Sequence, residues 1–595
     1  MNRTTLYTLI CLLPFLYINK ISAQKKSDKE TKFLTYYEIH NFNKTPRYNQ
    51  TVEFCKLIAN NSTMVSYTSI GISPQKREIP LIILDRDGLT DPKEIRNRGR
   101  AIVLVQASIH AGEPDGKDAG LMLIRDIAID SLYLDIIQNV SLLFIPIINT
   151  DGHEDFGTHY RINQNGPEEV GSRFTANRLN MNRDFIKADA PETRAFLNLY
   201  HRWMPELFID IHVTNGADFQ YVTTYGLDHC GFLSDPMHKW SKEVYEKKLL
   251  NKMERSGYPI FPYLEYTSYQ DSTSLLLPSN FAPQYSNGYA SANNRLGLLV
   301  ENHIYKPYKE RVTAAYNIII NSMEIIGNNK ESLSKSINET DNYVASQLFI
   351  NDSLALSYKH NIDSISYVDF LAWKTKTEIS ELSGAQWSYS DRDSPVTYSM
   401  PIVTAYIPQS KIKLPKAYII PKENFEAIEL LKLHGIDFCH IPNDTILSVE
   451  TYRFINPKWS DQPYEGRITL NTEYTQQIEE VRLSKGDIMI KTDQPKIKIV
   501  AHMLEPKSPT SLVYWGFFNS YVAPPTEFWI RLNYMEVKGR ELLEKDPKLR
   551  EEFKRKKMED ANFASNPKAI LQYFMDIVRS NIEIDANRYP IFRLM

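Results

Sequence analysis

The sequence predicts an α/β protein: a mixed, mostly parallel sheet flanked by helices, followed by a mainly β region that ends in helices. Six short apolar runs recur between residues 79 and 302, too continuous for strands with one face in water. Helical patterns lie between them, and strands alternating with helices mark layered α/β architectures. Beyond a polar stretch at 328–342 the texture shifts to shorter, more alternating β-like runs.

The elements follow in order. Residues 24 to about 75 are polar and Tyr-rich, with a helix-like patch, NQTVEFCKLIANN. The runs IPLIILD (79–85), RAIVLVQASIH (100–110), VSLLFIPIIN (140–149), ELFIDIHV (206–213), FQYVTTY (219–225) and RLGLLVEN (295–302) read as buried strands. The stretches at 116–130, 190–204 and 308–327 read as helices, the second with Pro191 near its start, where proline is tolerated. The Ser/Lys/Asn-rich stretch 328–342 reads as a linker. Beyond it, RITLNTEY, GDIMIKT and KIKIVAHML read as strands, PKENFEAIELLKLHGIDFCHI as a helical unit, and 538–582 as charged helix. KLREEFKRKKMED within that end is most simply a solvated face.

With 595 residues the chain exceeds one ordinary domain, and we divide it at 24–330 and 343–595. A formal charge of −3 and the lack of a basic block outside the C-terminal region argue against nucleic acid. Residues 1–23 have the pattern of a secretory signal: Arg3, an apolar stretch over 5–18, then Ile21-Ser22-Ala23. That stretch is short for a membrane span, so the expectation is an exported, periplasmic or extracellular protein with no stable span after cleavage. Cys55, Cys230 and Cys439 are far apart and form neither a disulfide framework nor a CxxC zinc site; core thiols are expected.

Chemistry collects at strand ends, where open α/β sheets bind ligands. One run ends at His110, with Glu113 three residues on; another ends at His212; a third closes on Glu301. Two imidazoles and a carboxylate with one open position are a known arrangement for catalytic zinc. Taken singly, each has a plain reading as a packed or surface side chain. His153, Glu154 and His159 in HEDFGTHY lack the i,i+4 spacing of a helical zinc pair and read as a loop lining the cleft. His303 shares a strand face with Glu301 and could border the site or simply pack.

Read together, His110-Ala-Gly-Glu113, His212 after 98 further residues, the segment RFTANRLNMNRD (173–184), INTDG (148–152) and LLVEN ending on Glu301-Asn302 resemble the zinc carboxypeptidases, peptidase family M14, over about residues 75–325. The resemblance implies one Zn²⁺ held by His110, Glu113 and His212, with Glu301 as catalytic base. It implies Arg173 as oxyanion partner, with Arg178 a rival, and Asn182 and Arg183 as binders of a substrate carboxylate. It implies a tyrosine upstream of Glu301, for which Tyr285 and Tyr289 both qualify, Tyr285 being preferred. It implies a peptide or peptide-like substrate. The chain departs from the family at Asn180, where an Asp usually supports a zinc-bound histidine: an amide can accept the imidazole N–H but carries no charge. An amidase of cell-wall peptides or other amide conjugates, and a non-catalytic binding protein on a peptidase fold, are the alternative readings.

Overall fold

A computed structural model describes residues 32–214, 216, 218–265, 273–522, 531–582 and 587–595. The expected leader over 1–23 lies outside them. Among the described residues no helix is long and apolar enough to cross a membrane.

The strands β1 (Val65–Ile72), β2 (Glu78–Leu84), β3 (Ala101–Ala107), β4 (Val140–Ile145), β5 (Leu207–Val213), β6 (Thr223–Gly226), β7 (Ile260–Pro262) and β8 (Leu296–Asn302) form one sheet in the order β1-β2-β4-β3-β5-β8-β6-β7. The centre, β4-β3-β5-β8, is parallel. Every residue of β3, β4 and β5 is buried, as expected for strands covered on both faces. The covering helices include α1 (Tyr48–Asn61), α2 (Asp115–Ala128), α3 (Pro191–Trp203), α4 (Ser286–Ala292) and α5 (Tyr308–Asn328). Gly116 lets α2 approach the sheet: a Cβ there would stand 2.7 Å from Ile211 Cβ. That approach holds the turn preceding α2 over the end of β5.

The expected linker is instead a helix, α6 (Lys330–Val344), and its Leu333, Ile337 and Val344 are buried. Three widely spaced apolar residues in a polar stretch were enough to pin it. The next strands, β9 (Ser353–His360), β10 (Ile365–Ile379), β11 (Gln386–Val403) and β12 (Tyr406–Lys413), pair antiparallel as β10-β11 and β12-β9. A six-stranded antiparallel sheet follows, β14-β17-β13-β18-β15-β16. Its strands are β13 (Ala417–Ile420), β14 (Cys439–His440), β15 (Thr445–Trp459), β16 (Leu470–Leu483), β17 (Ile488–Lys491) and β18 (Phe592–Leu594). Helix α7 (Phe425–Leu433) lies between β13 and β14.

KIKIVAHML is a helix, α8 (Ile497–Leu504), not a strand. All eight of its residues are buried, and an element apolar on all sides has no periodicity that tells helix from strand. FQYVTTY joins the sheet only from Thr223; Gln220 instead gives its amide to Ala372 and Val396 carbonyls midway along the β10-β11 hairpin. The helical end is α9 (Met535–Lys545), α10 (Pro547–Glu559) and α11 (Pro567–Ile582) with a short turn of helix between the last two. One apolar core runs across both halves of the chain, uniting Tyr200, Phe208 and Tyr289 with Leu431, Val500 and Leu512. Cys55 is buried and Cys439 is exposed rather than in the core; Cys55, Cys230 and Cys439 are all free thiols.

Candidate metal centre and active-site cleft

Strand β3 ends at Ala107, and Ser108 takes a left-handed backbone conformation that turns the chain out of the sheet. The peptide N–H of Glu113 then donates to the His110 carbonyl at 2.9 Å, folding both side chains to one side. Gly112 between them is required by its neighbour: a Cβ there would meet the Arg161 side chain at 2.9 Å and the Gly171 carbonyl at 3.0 Å. His212 arrives from the end of β5.

The three side chains converge. His110 Nδ1 is 3.2 Å from His212 Nδ1 and from Glu113 Oε1, and His212 Nδ1 is 3.1 Å from Glu113 Oε2. One donor atom from each lies within 4.8 Å of the others, and all three residues are buried. Ligands about 2.0–2.1 Å from a tetrahedral zinc stand about 3.3 Å apart, so these spacings suit such an ion. The outer ring nitrogens are both engaged, His110 Nε2 at 3.1 Å from Asn180 Oδ1 and His212 Nε2 at 2.7 Å from Asp210 Oδ2. Partners of this kind fix ring orientation and tautomer, leaving Nδ1 of each ring for the ion. The residues present therefore fit zinc.

The electrostatics follow from burial and charge. Burial pushes the His110 imidazole down to about 4, against the pull of Glu113, while nearby Arg173 pushes the same way as burial. Burial would lower His212 too, but the Asp210 and Glu113 carboxylates together outweigh it and hold that ring well above its ordinary value. Glu113 resists its own burial because His110, Arg161 and His212 hold it well below the usual carboxylate range.

Sequence reasoning missed Asp210 and Arg161. Asp210 is two residues before His212 on one strand, so both share a face; that period-2 rule was the available signal. Arg161 comes from an irregular loop and gives no such signal. Its guanidinium donates to Glu113 Oε1 at 2.8 Å and to the Val213 and Thr214 carbonyls at 2.8 and 3.0 Å.

In front of these residues is a cleft of about 390 Å³. Its walls include His110, Glu113, Arg173, Asn182, Arg183, Tyr263, Tyr285 and Glu301. Glu301 stands in register with His212 across β5-β8. Burial pushes its carboxyl up to about 7, with His212, Arg161 and Arg173 opposing and Glu113 adding to the rise. Its Oε2 has no hydrogen-bond partner among the described residues. Arg173 lies 3.3 Å from His110 Nδ1 and 3.8 Å from Glu113 Oε1. Asn149, in INTDG, donates to the Ile109 and Arg173 carbonyls at 3.3 and 3.4 Å and so ties the two segments together. Arg178 points elsewhere, lining a separate depression with Asp151 and Glu154.

Asn182 and Arg183 sit in a 3₁₀ turn, Met181–Arg183. The Asn182 Oδ1 is buried without a partner among the described residues, and the Arg183 guanidinium lies 4.5 Å from the Tyr285 ring centroid. Tyr285 immediately precedes α4 and faces the cleft. Tyr289 is one turn into α4 and fully buried, its hydroxyl 2.7 Å from His201 and His434 ring nitrogens. Tyr263 was not singled out by the sequence; the Glu301 carboxylate and burial together push its phenol up. His153 is not in a cleft-lining loop: it is fully buried in the short helix Thr150–Glu154, 2.9 Å from Lys117 Nζ. His303 is buried against Phe219, with ring centroids 5.1 Å apart.

The family model described as zinc carboxypeptidase matches residues 51–426. The chain belongs to the zinc carboxypeptidase family. Carboxypeptidase 2 of Trichophyton rubrum is 20% identical over 486 residues, covering 79% of this chain and 84% of that protein. A metallo-carboxypeptidase of Pseudomonas aeruginosa is similar in structure at TM-score 0.36 and 14% identity, over 48% of this chain and 69% of its own. Carboxypeptidase A of Helicoverpa armigera gives 0.35 and 16%, over 49% and 75%. As a member of this family the chain is a metallocarboxypeptidase-type hydrolase acting on peptides.

Proposed function

We propose that the protein is an exported zinc-dependent carboxypeptidase that hydrolyses peptide bonds next to a free C-terminal carboxylate. The supporting observation is the convergence of His110, Glu113 and His212 on one point behind a cleft that also holds Glu301. His110, Glu113 and His212 would hold one zinc ion; when bound, it supplies a Lewis acid that brings the pKa of a water to roughly 7.

The chain's own residues do the rest. Glu301, half-buried and with an Oε2 that has no partner among the described residues, takes the proton from the attacking water and returns it to the departing amine. Its raised affinity for a proton, set by burial, suits both halves of that transfer near neutral pH. Arg173 faces the oxyanion that develops on the scissile carbonyl. Asn182 and Arg183 bind the terminal carboxylate, the guanidinium offering a planar pair of N–H donors. Tyr285 holds the Arg183 guanidinium from its ring face and closes that side of the cleft. Glu301 and Arg173 in the same cleft favour an enzyme over a binding protein.

The test compares peptides with free and amidated C-termini. Wild type should cleave the free-acid peptide at least tenfold faster in kcat/KM. Arg183→Ala should raise KM for the free acid by about ten- to a hundredfold, the loss of a charged hydrogen bond of about 1.5–3 kcal/mol. Equal cleavage of both peptides by wild type rejects the carboxypeptidase reading in favour of an amidase.

A further inference from the structure

Asn180 stands where the family resemblance implies an aspartate, and the structure places a carboxylate behind it. The β15-β16 hairpin of the C-terminal half folds its connecting segment against residues 179–189. Glu465 Oε2 accepts the Asn180 backbone N–H at 3.2 Å, and Glu465 Oε1 lies 3.4 Å from the Asn180 Nδ2. On its other side Asn180 Oδ1 lies 3.1 Å from His110 Nε2 and accepts the Asn182 N–H at 3.1 Å. These partners together fix which end of the amide faces the histidine. The side chains therefore form an unbroken line: carboxylate, amide, imidazole.

The backbone at Glu465 adds an independent observation. Tyr464 and Arg467 exchange both backbone hydrogen bonds, at 2.8 and 3.1 Å, so Glu465 and Gly466 form a two-residue hairpin turn. Both have positive φ, +48° and +82°. Such turns favour Asn-Gly or Gly-Gly, and a left-handed residue with a long side chain costs roughly 1–2 kcal/mol. A glutamate kept in that conformation points to a use for its side chain. The turn is also clamped in place. The Arg467 guanidinium makes a two-pronged ion pair with Asp189 at 2.6 and 2.7 Å and lies 3.7 Å from the Phe517 ring centroid. Tyr464 stacks on the buried Trp515 at 5.9 Å. A Cβ at Gly466 would come within 2.9 Å of Leu179, so the turn sits tight on the segment it supports.

We infer that Glu465 is a positioning residue for the metal centre, which supplies through the Asn180 amide the negative charge that an aspartate at position 180 would place directly on His110. The carboxylate draws the amide N–H groups and so makes Asn180 Oδ1 a stronger acceptor for the His110 N–H. A stronger acceptor there raises the basicity of the ligating Nδ1. The inference rests on the zinc reading above, and it gives the C-terminal half a direct part in the site.

The test measures zinc affinity by competition with a chromogenic chelator, using the full chain. Glu465→Gln keeps the shape and removes the charge. It should weaken zinc binding about tenfold, within the range for outer partners of metal ligands. Adding Asn180→Asp to that variant puts the charge next to His110 and should restore affinity to within about twofold of wild type. Thermal unfolding of the zinc-free forms reports whether the variants fold alike; Arg467→Lys, which weakens the clamp and leaves Glu465 in place, is the second variant should Glu465→Gln misfold, and it should lower affinity by a smaller factor that Asn180→Asp again restores. Unchanged affinity in a folded Glu465→Gln protein overturns the inference, as does a loss that Asn180→Asp fails to restore. Wild type that takes up no zinc rejects instead the zinc reading on which the inference stands, so the two failures are distinguishable.

Discussion

The parallel centre of the first sheet and the long hairpins of the C-terminal half are built on opposite terms. In β3, β4 and β5 every residue is buried, and the strands are held by apolar area on both faces. In β10 and β11 the outer parts are exposed on both faces: Lys374 to Ile379 carry almost no burial, Leu382 at the tip is 98% exposed, and Trp387 half so. Those strands are held by their ladder and by cross-strand pairs such as Thr377 with Ser388. The division of labour follows. The buried sheet ends rigidly, so it can carry ligands whose donor atoms must stay within a few tenths of an ångström. A hairpin projects, so it can reach a distant segment, as β15-β16 does in bringing Glu465 to Asn180.

The buried sheet's strand-end residues carry the largest expected effect. Glu301→Gln removes the proton acceptor and leaves the donors of His110, Glu113 and His212 in place. Zinc content should stay at wild-type level while kcat falls by about 10²–10⁴. Hydrolysis unaffected by that change would take Glu301 out of the mechanism.

A second prediction probes the burial that defines the first half. Glu192, in the first turn of α3, is fully buried, and neither of its carboxylate oxygens has a partner among the described residues. Burial, with Asp151 and Asp184 nearby, pushes it up to about 7. The folded chain therefore keeps a proton there that the unfolded chain releases above about 4.3. Stability falls as pH rises from there to about 7, and the penalty is full above it, on the order of 3 kcal/mol. Glu192→Gln should gain stability relative to wild type at pH 8 by about that amount over any difference at pH 5, read by thermal unfolding at each pH. An equal effect at both values would mean that the carboxyl ionises freely.

The smallest effect belongs to the hairpin tip. Leu382→Ser should change stability by less than about 0.5 kcal/mol and leave kcat/KM unchanged, because the side chain touches little. A large loss would show that the tip is packed in solution.

The same contrast explains what the sequence made legible. Apolar runs of six or seven residues announce fully buried strands, so the inner strands of the first sheet and their end residues His110, His212 and Glu301 were readable, whereas the edge strands β1 and β7, largely half-exposed or short, were not. The spacing of His110 and Glu113 with the 173–184 segment then pointed to the site as a set. Tyr285 could be preferred to Tyr289 only weakly, because the choice depends on where α4 begins. Its start at Ser286 leaves Tyr285 in the cleft and turns Tyr289 into the core. Helix α8 read as a strand because burial on every side erases periodicity. Glu465 was out of reach altogether: its partner Asn180 is 285 residues away, and no local pattern encodes a contact of that separation.

His110, Glu113 and His212 are proposed to hold one catalytic zinc. The most direct measurement is metal analysis of the wild-type and His212→Ala proteins purified without chelators, alongside hydrolysis of a free-acid peptide. Wild type should hold one zinc per chain and lose activity on chelation and regain it with zinc, while His212→Ala should hold under a tenth of an equivalent and show no hydrolysis above background. Stoichiometric zinc in His212→Ala, or full wild-type activity after the metal is removed, would contradict that assignment.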